Sequence, residues 1–228
     1  WINAALSNDV MLFSKDGKKS YFNDEKLAES IRFVKSLESL NGNHNITKEE
    51  FDSGNVAFSQ MSLAEYRTYK SYPYKIKKYT GFAWDCIPMP AGESGNNVSM
   101  IDSLDIGISS KSKKKRLALE FLKTLTYDTQ IQQALYNDMP VASVLKEVME
   151  SKESENIFKE DEDIIDSKLI CHILENGSGK PKFSGYEGAI SLADAKISKL
   201  TLEDDIENAL RILQREMSKY LLQERGKE

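Results

Sequence analysis

The sequence is poor in the residues that most often mark redox chemistry or catalysis, and it has no long apolar run. It contains 2 cysteines, 2 histidines and 5 prolines in 228 residues, and two thiols are too few for a disulfide framework. No segment approaches the roughly 20 apolar residues that span a bilayer. The 31 basic residues are outnumbered by 36 acidic ones, which gives a net charge of −5. We therefore expect neither a transmembrane helix nor nucleic-acid binding.

Several catalytic and metal-binding patterns are also missing. There is no glycine-rich phosphate loop and no G-x-S-x-G motif. His44 lies in a polar loop, and Cys171 and His172 point about 100° apart if they are adjacent on a helix, which disfavours a shared metal ion. The aspartates of 161–166 lack the asparagine and glycine positions of a calcium loop. We expect no metal ion, no cofactor and no enzymatic activity.

The first third of the chain alternates turn signals with amphipathic segments. Asp16-Gly17 between apolar runs predicts a β-hairpin. Apolar residues at helical spacing predict a helix from Asn23 or Asp24 to about Leu40. Thr47 with Glu50 predicts a capping box, and Ser62 a further helix start. The segments 56–61 and 82–87 are typical of strands.

The rest of the chain is mostly helical in pattern. Residues 91–97 are rich in Gly, Ser and Asn and predict a linker, followed by a short strand over 104–108. Helices are expected around 118–125, from a cap at Thr129 to Pro140, and through most of the sequence beyond 143. A cap at Thr201 and Asp204 precedes the last amphipathic helix. The predicted class is α/β, rich in helix.

Four short motifs, in order, resemble one family. They are FDSGNVAF at 51–58, WDCIPMPAG at 84–92, GISSKSK at 107–113 and ALEFLK at 118–123. Gln130 and the MPV sequence at 139–141 stand where the same family often has a glutamine and a turn with proline. Together they are similar to the C-terminal two-thirds of family 1 extracellular solute-binding proteins, which serve ABC sugar importers. The family's usual methionine is replaced by Phe58.

The resemblance implies an incomplete periplasmic-binding-protein-like type II fold. Residues 1–90 and 141–228 would form the C-terminal lobe, 91–97 a linker, and 98–140 a part of the N-terminal lobe whose upstream strands are absent. Because Trp1 begins directly on an apolar helical pattern, we expect a portion of a longer protein. Without the upstream strands, the predicted strand at 104–108 would have a free edge beside the apolar face of the helix around 118–125. We therefore also expect self-association through 98–140.

A sugar site needs flat apolar faces and planar polar groups that bond paired hydroxyls. Aromatic residues at the ends of helices and strands can supply the flat apolar faces. Polar residues can supply the hydrogen bonds where they match positions that face the binding cleft in the family. The candidate ligand-binding residues are Tyr66, Trp84, Asp102, Ser103, Tyr186 and Glu187.

The resemblance thus implies the substrate-binding component of an ABC importer, which holds a carbohydrate between two lobes and delivers it to permease subunits. It implies an extracellular protein anchored as a lipoprotein. Two alternatives stay open. One is a binding protein for a peptide or another solute, and the other is a glycosidase that pairs Glu187 with Asp85 or Asp102.

Overall fold

The computed structural model describes residues 1–40, 42, 46–70, 84, 86–93, 96–139, 141–159 and 167–226. These residues form short strands and many helices. In chain order they are α1 (Ile2–Ser7), α2 (Glu25–Leu40), α3 (Lys48–Asp52), α4 (Leu63–Lys70), β1 (Met100–Ile101), α5 (Lys115–Tyr127), α6 (Thr129–Asp138), α7 (Lys146–Met149), α8 (Lys152–Lys159), α9 (Ser167–Asn176), β2 (Ser178–Gly179), α10 (Tyr186–Ile197) and α11 (Ile206–Arg225).

The chain divides into two compact units. Unit 1 comprises Trp1–Asn45, Pro88–Ser103 and Ile173–Glu228, and unit 2 comprises Ile46–Ile87 and Leu104–His172. These boundaries differ from the lobe boundaries predicted at 90, 98 and 140. The assignment of segments to the lobes of a whole solute-binding protein stays a prediction.

Unit 1 begins with α1, a tight hairpin turn and α2. Phe13 and Ser20 form an isolated antiparallel bridge, and Gly17 takes a left-handed φ of 66°, as the predicted Asp-Gly turn requires. The Asp24 Oδ1 atom accepts a hydrogen bond from the Lys26 amide at 2.8 Å just before α2. The hairpin predicted at Asp16-Gly17 and the helix predicted up to about Leu40 are therefore confirmed.

One stripe of α11 supplies much of the core of unit 1. Its buried residues recur every three or four positions, as expected of an amphipathic helix, and are Ile206, Leu210, Leu213, Met217 and Leu221. They belong to the same core cluster as apolar side chains of the hairpin, α2 and α10. The side chain of Gln214 adds a polar tie, because its Nε2 atom donates to the Ser20 carbonyl at 2.9 Å and its Oε1 atom accepts from the Phe22 amide at 2.6 Å.

Unit 2 contains α3 to α8. Its helices start at local caps: Thr47 and Glu50 form the predicted capping box, and Ser62 and Glu65 exchange hydrogen bonds at 2.7 and 3.2 Å. The cap of α6 is Asp128, whose side chain accepts from the Ile131 amide, so the predicted cap at Thr129 is wrong by one residue. Helix α6 contacts α5, α7 and α8 and buries Tyr136 completely.

Two of the predicted strands do not form. Residues 56–61 and 104–108 have no strand structure, and Leu104 is 78% exposed. A strand needs a hydrogen-bonded neighbour, and for these segments none lies among the described residues. The strand of this region is instead Met100–Ile101, four residues earlier. Of the predicted strand at 82–87, residues 82, 83 and 85 lie outside the described residues.

The start of α11 also differs from the prediction. Its cap is Asp205, which accepts from the Asn208 amide at 2.9 Å. Thr201 donates its backbone amide and its hydroxyl to the Asp204 carboxylate, at 2.7 and 2.9 Å. The predicted Thr201–Asp204 pair therefore closes the turn that precedes the cap.

Within the described residues, the helices are too short or too polar to cross a membrane. The two cysteines, both of which the structure describes, are not joined by a disulfide. Cys86 and Cys171 are both half-buried.

The hairpin turn should carry a pH-dependent part of the stability of unit 1. Hydrogen bonds from the Ser14 hydroxyl and the Lys18 amide lower the pKa of Asp16 to about 2. A carboxyl group whose pKa is lowered on folding stabilises the fold above its unfolded pKa of about 3.9, and that contribution is lost as the pH falls towards 2. Asp16→Ala should therefore destabilise the protein at neutral pH and have little effect near pH 2, as measured by urea unfolding. Glu203→Ala removes a charge at another exposed site and should destabilise the protein equally little at both pH values. The prediction is contradicted if the two variants have equal effects at each pH.

Candidate functional site

Two short parallel strands bring together parts of the chain that lie far apart in sequence. Met100 pairs with Ser178 and Ile101 with Gly179. The Lys180 amide donates to the Ile101 carbonyl at 2.9 Å. The residues that follow the two strands, Asp102 and Lys180, therefore lie side by side at the carboxyl ends of the strands, which is where open α/β sheets commonly bind ligands.

Gly177 allows this close pairing. A Cβ atom at this position would lie 2.3 Å from the Ile101 Cδ1 atom and 2.9 Å from the Ile173 carbonyl oxygen. Both distances are too short for a side chain, and the second neighbour is backbone. Gly177 directly follows the last residue of α9, Asn176, and lets β2 approach Ile101.

Lys180 is the centre of a charged cluster. Its Nζ atom lies 2.5 Å from the Glu187 Oε1 atom and 3.5 Å from the Asp102 Oδ2 atom. It also lies 5.6 Å from the centre of the Tyr186 ring, a distance typical of a cation–π contact. The lysine side chain is 25% exposed, whereas the Asp102 and Glu187 side chains are 69% and 77% exposed. The carboxylates thus face water and the lysine lies beneath them.

The cluster carries one positive and two negative charges. The hydrogen bond to Glu187 is the main cause that raises the pKa of Lys180, and the negative charge of Asp102 acts in the same direction. Lys180 therefore stays an ammonium throughout the physiological pH range. The site presents carboxylate oxygens as acceptors and a fixed ammonium as a donor, and its net charge is negative.

Tyr186 belongs partly to the core. Its ring packs edge-on against Phe183 and Phe13, with centroid distances of 5.5 and 5.9 Å, and the residue is 7% exposed. Burial raises the pKa of its hydroxyl. The part of Tyr186 that a ligand could reach is therefore small.

The C-terminal helix fixes the start of α10, which carries Tyr186 and Glu187. The hydroxyl of Tyr220 donates to the Gly185 carbonyl at 3.1 Å. Gly185 has a left-handed φ of 83°, which glycine adopts without strain. A Cβ atom at Gly188 would lie 2.1 Å from the Tyr220 hydroxyl oxygen. Helices α10 and α11 thus approach closely at this point.

The structure distributes the six predicted residues between the two units. Asp102, Tyr186 and Glu187 meet around Lys180 in unit 1. Ser103, also in unit 1, is exposed and donates its backbone amide to the Asp102 carboxylate at 3.1 Å. Tyr66 and Trp84 lie in unit 2.

The two aromatic residues of unit 2 form a pair of their own. Their rings are 6.0 Å apart in an edge-to-face arrangement. Tyr66 is 1% exposed and Trp84 is half-buried, so Trp84 offers more of its surface to a ligand. Their predicted role in ligand binding stays a prediction.

Lys180 was missed by the sequence reasoning. It follows a strand of only two residues inside a loop rich in glycine and serine, and no local pattern distinguishes it from the neighbouring Lys182. Among the described residues, no group of three or more His, Cys, Asp or Glu side chains could hold a metal ion. The chemistry of the cluster is therefore hydrogen bonding and charge.

Comparison with known proteins relates the chain to a family of binding proteins. The sequence profile of the family described as bacterial extracellular solute-binding proteins matches residues 1–164, which is most of the chain. A search of curated proteins finds no match.

Solved structures with the same fold include two carbohydrate-binding proteins. The cyclic alpha-maltosyl-1,6-maltose binding protein from Arthrobacter globiformis has a TM-score of 0.77 and 13% identity, over 96% of this chain and 54% of that protein. An ABC substrate-binding protein from Listeria monocytogenes, in complex with cycloalternan, has a TM-score of 0.68 and 14% identity, over 95% of this chain and 55% of that protein. The predicted periplasmic-binding-protein-like α/β fold is confirmed, and the chain spans about half the length of these proteins.

The contact between α10 and α11 gives a test of how the site is held. Gly188→Ala should destabilise the protein by about 1–3 kcal/mol, because the new methyl group would overlap the Tyr220 hydroxyl. Tyr220→Phe removes the overlapping oxygen and leaves the next ring atom 3.0 Å away. The double variant should therefore lose less stability than the sum of the two single variants, as measured by urea unfolding. Strict additivity would contradict the close contact.

Proposed function

The chain belongs to the bacterial extracellular solute-binding protein family, and we propose that its protein binds a carbohydrate and delivers it to the permease of an ABC importer. The Asp102–Lys180–Glu187 cluster carries this proposal. Carboxylates accept hydrogen bonds from neighbouring sugar hydroxyls, and an ammonium donates to a hydroxyl or ring oxygen. The carbohydrate ligands of the two solved proteins support the choice of a sugar.

The ligand would meet unit 1 through the exposed carboxylates rather than through Tyr186, whose ring is mostly buried. Asp102 and Glu187 share one ammonium, which holds both near it without desolvating them. Ser103 lies next to Asp102 and adds a hydroxyl. Tyr66 and Trp84 of unit 2 are separately proposed as apolar ligand contacts of the whole protein, and Trp84 has the more accessible ring.

A binding role fits this cluster better than glycoside hydrolysis does. A glycosidase needs one carboxyl group that keeps its proton, and proteins achieve this by enclosing the group in apolar surroundings. Asp102 and Glu187 are largely exposed and both contact Lys180, while Asp85 lies outside the described residues. We propose that the protein has no catalytic activity.

Delivery to a permease implies a place at the outer face of the membrane. The family is one of extracellular proteins, and we propose that a lipid anchor holds the whole protein there. A peptide or another solute is the second candidate ligand, because carboxylates and an ammonium also recognise peptide termini and side chains.

The sugar proposal predicts that the cluster determines affinity. Glu187→Gln and Asp102→Asn should each weaken glycan binding by about 10- to 100-fold, since hydrogen bonds to charged groups contribute about 1.5–3 kcal/mol. A thermal-shift screen of the full-length protein against mono- and oligosaccharides identifies the ligand, and calorimetry then measures the affinity of each variant.

Glu203→Gln provides the matched control, because it neutralises an exposed carboxylate outside the cluster. Unchanged affinity in both cluster variants would place the sugar site elsewhere. A thermal shift with peptides and none with any sugar would favour the second candidate ligand.

We also propose that the chain self-associates through the predicted 98–140 region. Helix α5 is amphipathic, yet it has no buried residue, and Leu117, Phe121 and Tyr127 are 66%, 64% and 72% exposed. Exposed apolar surface of this kind favours association. Static light scattering of the 228-residue chain should show a mass that rises with concentration, and Phe121→Asp should keep it monomeric.

The control for this experiment is Phe33→Asp, which adds the same charge at a 51% exposed phenylalanine of α2. This variant should still self-associate. A monomer at every concentration in the unmodified chain would refute the proposal.

A further inference from the structure

A groove in unit 1 lies between the hairpin turn and the C-terminal half of α11. It has a volume of about 310 Å³. Its lining includes Lys18 and Lys19 of the hairpin turn and Gln214, Ser218, Leu222 and Arg225 of α11. The groove is separate from the Lys180 cluster in the residues that form it, and the proposed function does not use it.

The charged residues of the groove are all basic. Lys18 pairs with Asp16 at 3.3 Å. Arg225 donates to the carbonyls of Leu221 and Lys18 at 3.2 and 3.4 Å, so its charge is not neutralised by these contacts. Neither Arg225 nor Lys19 forms an ion pair within the described residues. Of these three cations, only Lys18 is paired with a carboxylate among the described residues, in a chain whose net charge is −5.

The basic character continues along the same face of α11. Arg211, Arg215, Ser218, Leu222 and Arg225 are spaced by four, three, four and three residues, which places them on one stripe of the helix. Arg211 and Arg215 are exposed, and each is without an ion pair in the part of the chain that the structure describes. In the middle of these cations, Leu222 is 61% exposed.

We propose that this basic stripe and groove bind the headgroups of anionic phospholipids at a membrane surface. Lysine and arginine near an anionic bilayer are attracted to its phosphates. An exposed leucine among them can enter the boundary between headgroups and acyl chains while the cations remain with the phosphates. An acidic soluble partner would match the charges, but it would give no reason for the apolar side chain at the centre.

The geometry suits a shallow, reversible contact. The arginines stand on a rigid 20-residue helix, and the lysines on a hairpin turn that Asp16 holds in shape. The Gln214 amide and the Ser218 hydroxyl line the same groove, but their hydrogen bonds to Ser20 and to each other already use their donors, so the lysines and arginines are the groups that would contact a phosphodiester. This contact orients unit 1 on a bilayer independently of the solute that the protein binds.

Vesicle co-sedimentation of the 228-residue chain tests the inference. At low salt the chain should bind vesicles of phosphatidylglycerol mixed with phosphatidylcholine, and it should not bind vesicles of phosphatidylcholine alone. Each cation at an anionic surface changes the affinity by about fivefold, so Lys19→Gln with Arg225→Gln should weaken binding on the order of 20-fold. Leu222→Ser should also weaken it without changing the charge.

The matched control is Lys111→Gln with Lys113→Gln, which removes two charges from the exposed basic run 111–116 of unit 2. This pair should bind anionic vesicles as the unmodified chain does, and circular dichroism should show that all variants are folded. Equal losses in the two double variants would indicate a diffuse charge effect and overturn the proposal. Failure of the unmodified chain to bind anionic vesicles would also overturn it. If the chain then bound a polyglutamate column, the basic surface would instead fit an acidic soluble partner.

Discussion

The burial of one stripe of α11 against the first part of the chain is the constraint on which unit 1 depends. Leu213 and Met217 enter a core that also contains Phe22 and Ile31, although roughly 190 residues separate these segments. Such contacts form only after the ends of the chain have met, which costs loop-closure entropy. Gln214 fixes the register of the contact because its amide bonds the backbone on both sides of Tyr21.

The Lys180 cluster inherits its geometry from this packing. The Tyr220 hydroxyl on α11 holds the carbonyl of Gly185, and the residues after Gly185 are the tyrosine and glutamate that surround the lysine. The other side of the cluster depends on the pairing of β1 with β2. A two-residue ladder is too short to be stable by itself, so its register rests on the surrounding core and on Gly177, where a side chain would not fit.

Local interactions were predictable from the sequence and non-local ones were not. The capping box of Thr47 and Glu50 and the span of α2 follow from residues within one or two helical turns. The strands at 56–61 and 104–108 were wrong because strand formation depends on a partner that composition does not reveal. Lys180 was missed for the same reason, because its carboxylate partners are distant or lie in another element. Asp102 follows β1, 78 positions earlier in the sequence, and Glu187 belongs to α10.

If the cluster binds a polar ligand as proposed, its charge arrangement reduces the reorganisation that binding requires. A carboxylate has about four acceptor positions, and Lys180 occupies only one oxygen of Asp102 and one of Glu187. The remaining positions are already oriented, because Lys180 holds both side chains and its own stem is mostly buried. Binding therefore costs less side-chain entropy than it would at two free carboxylates. The lysine serves the site chiefly by fixing acceptors in place, and direct contact with a ligand is secondary.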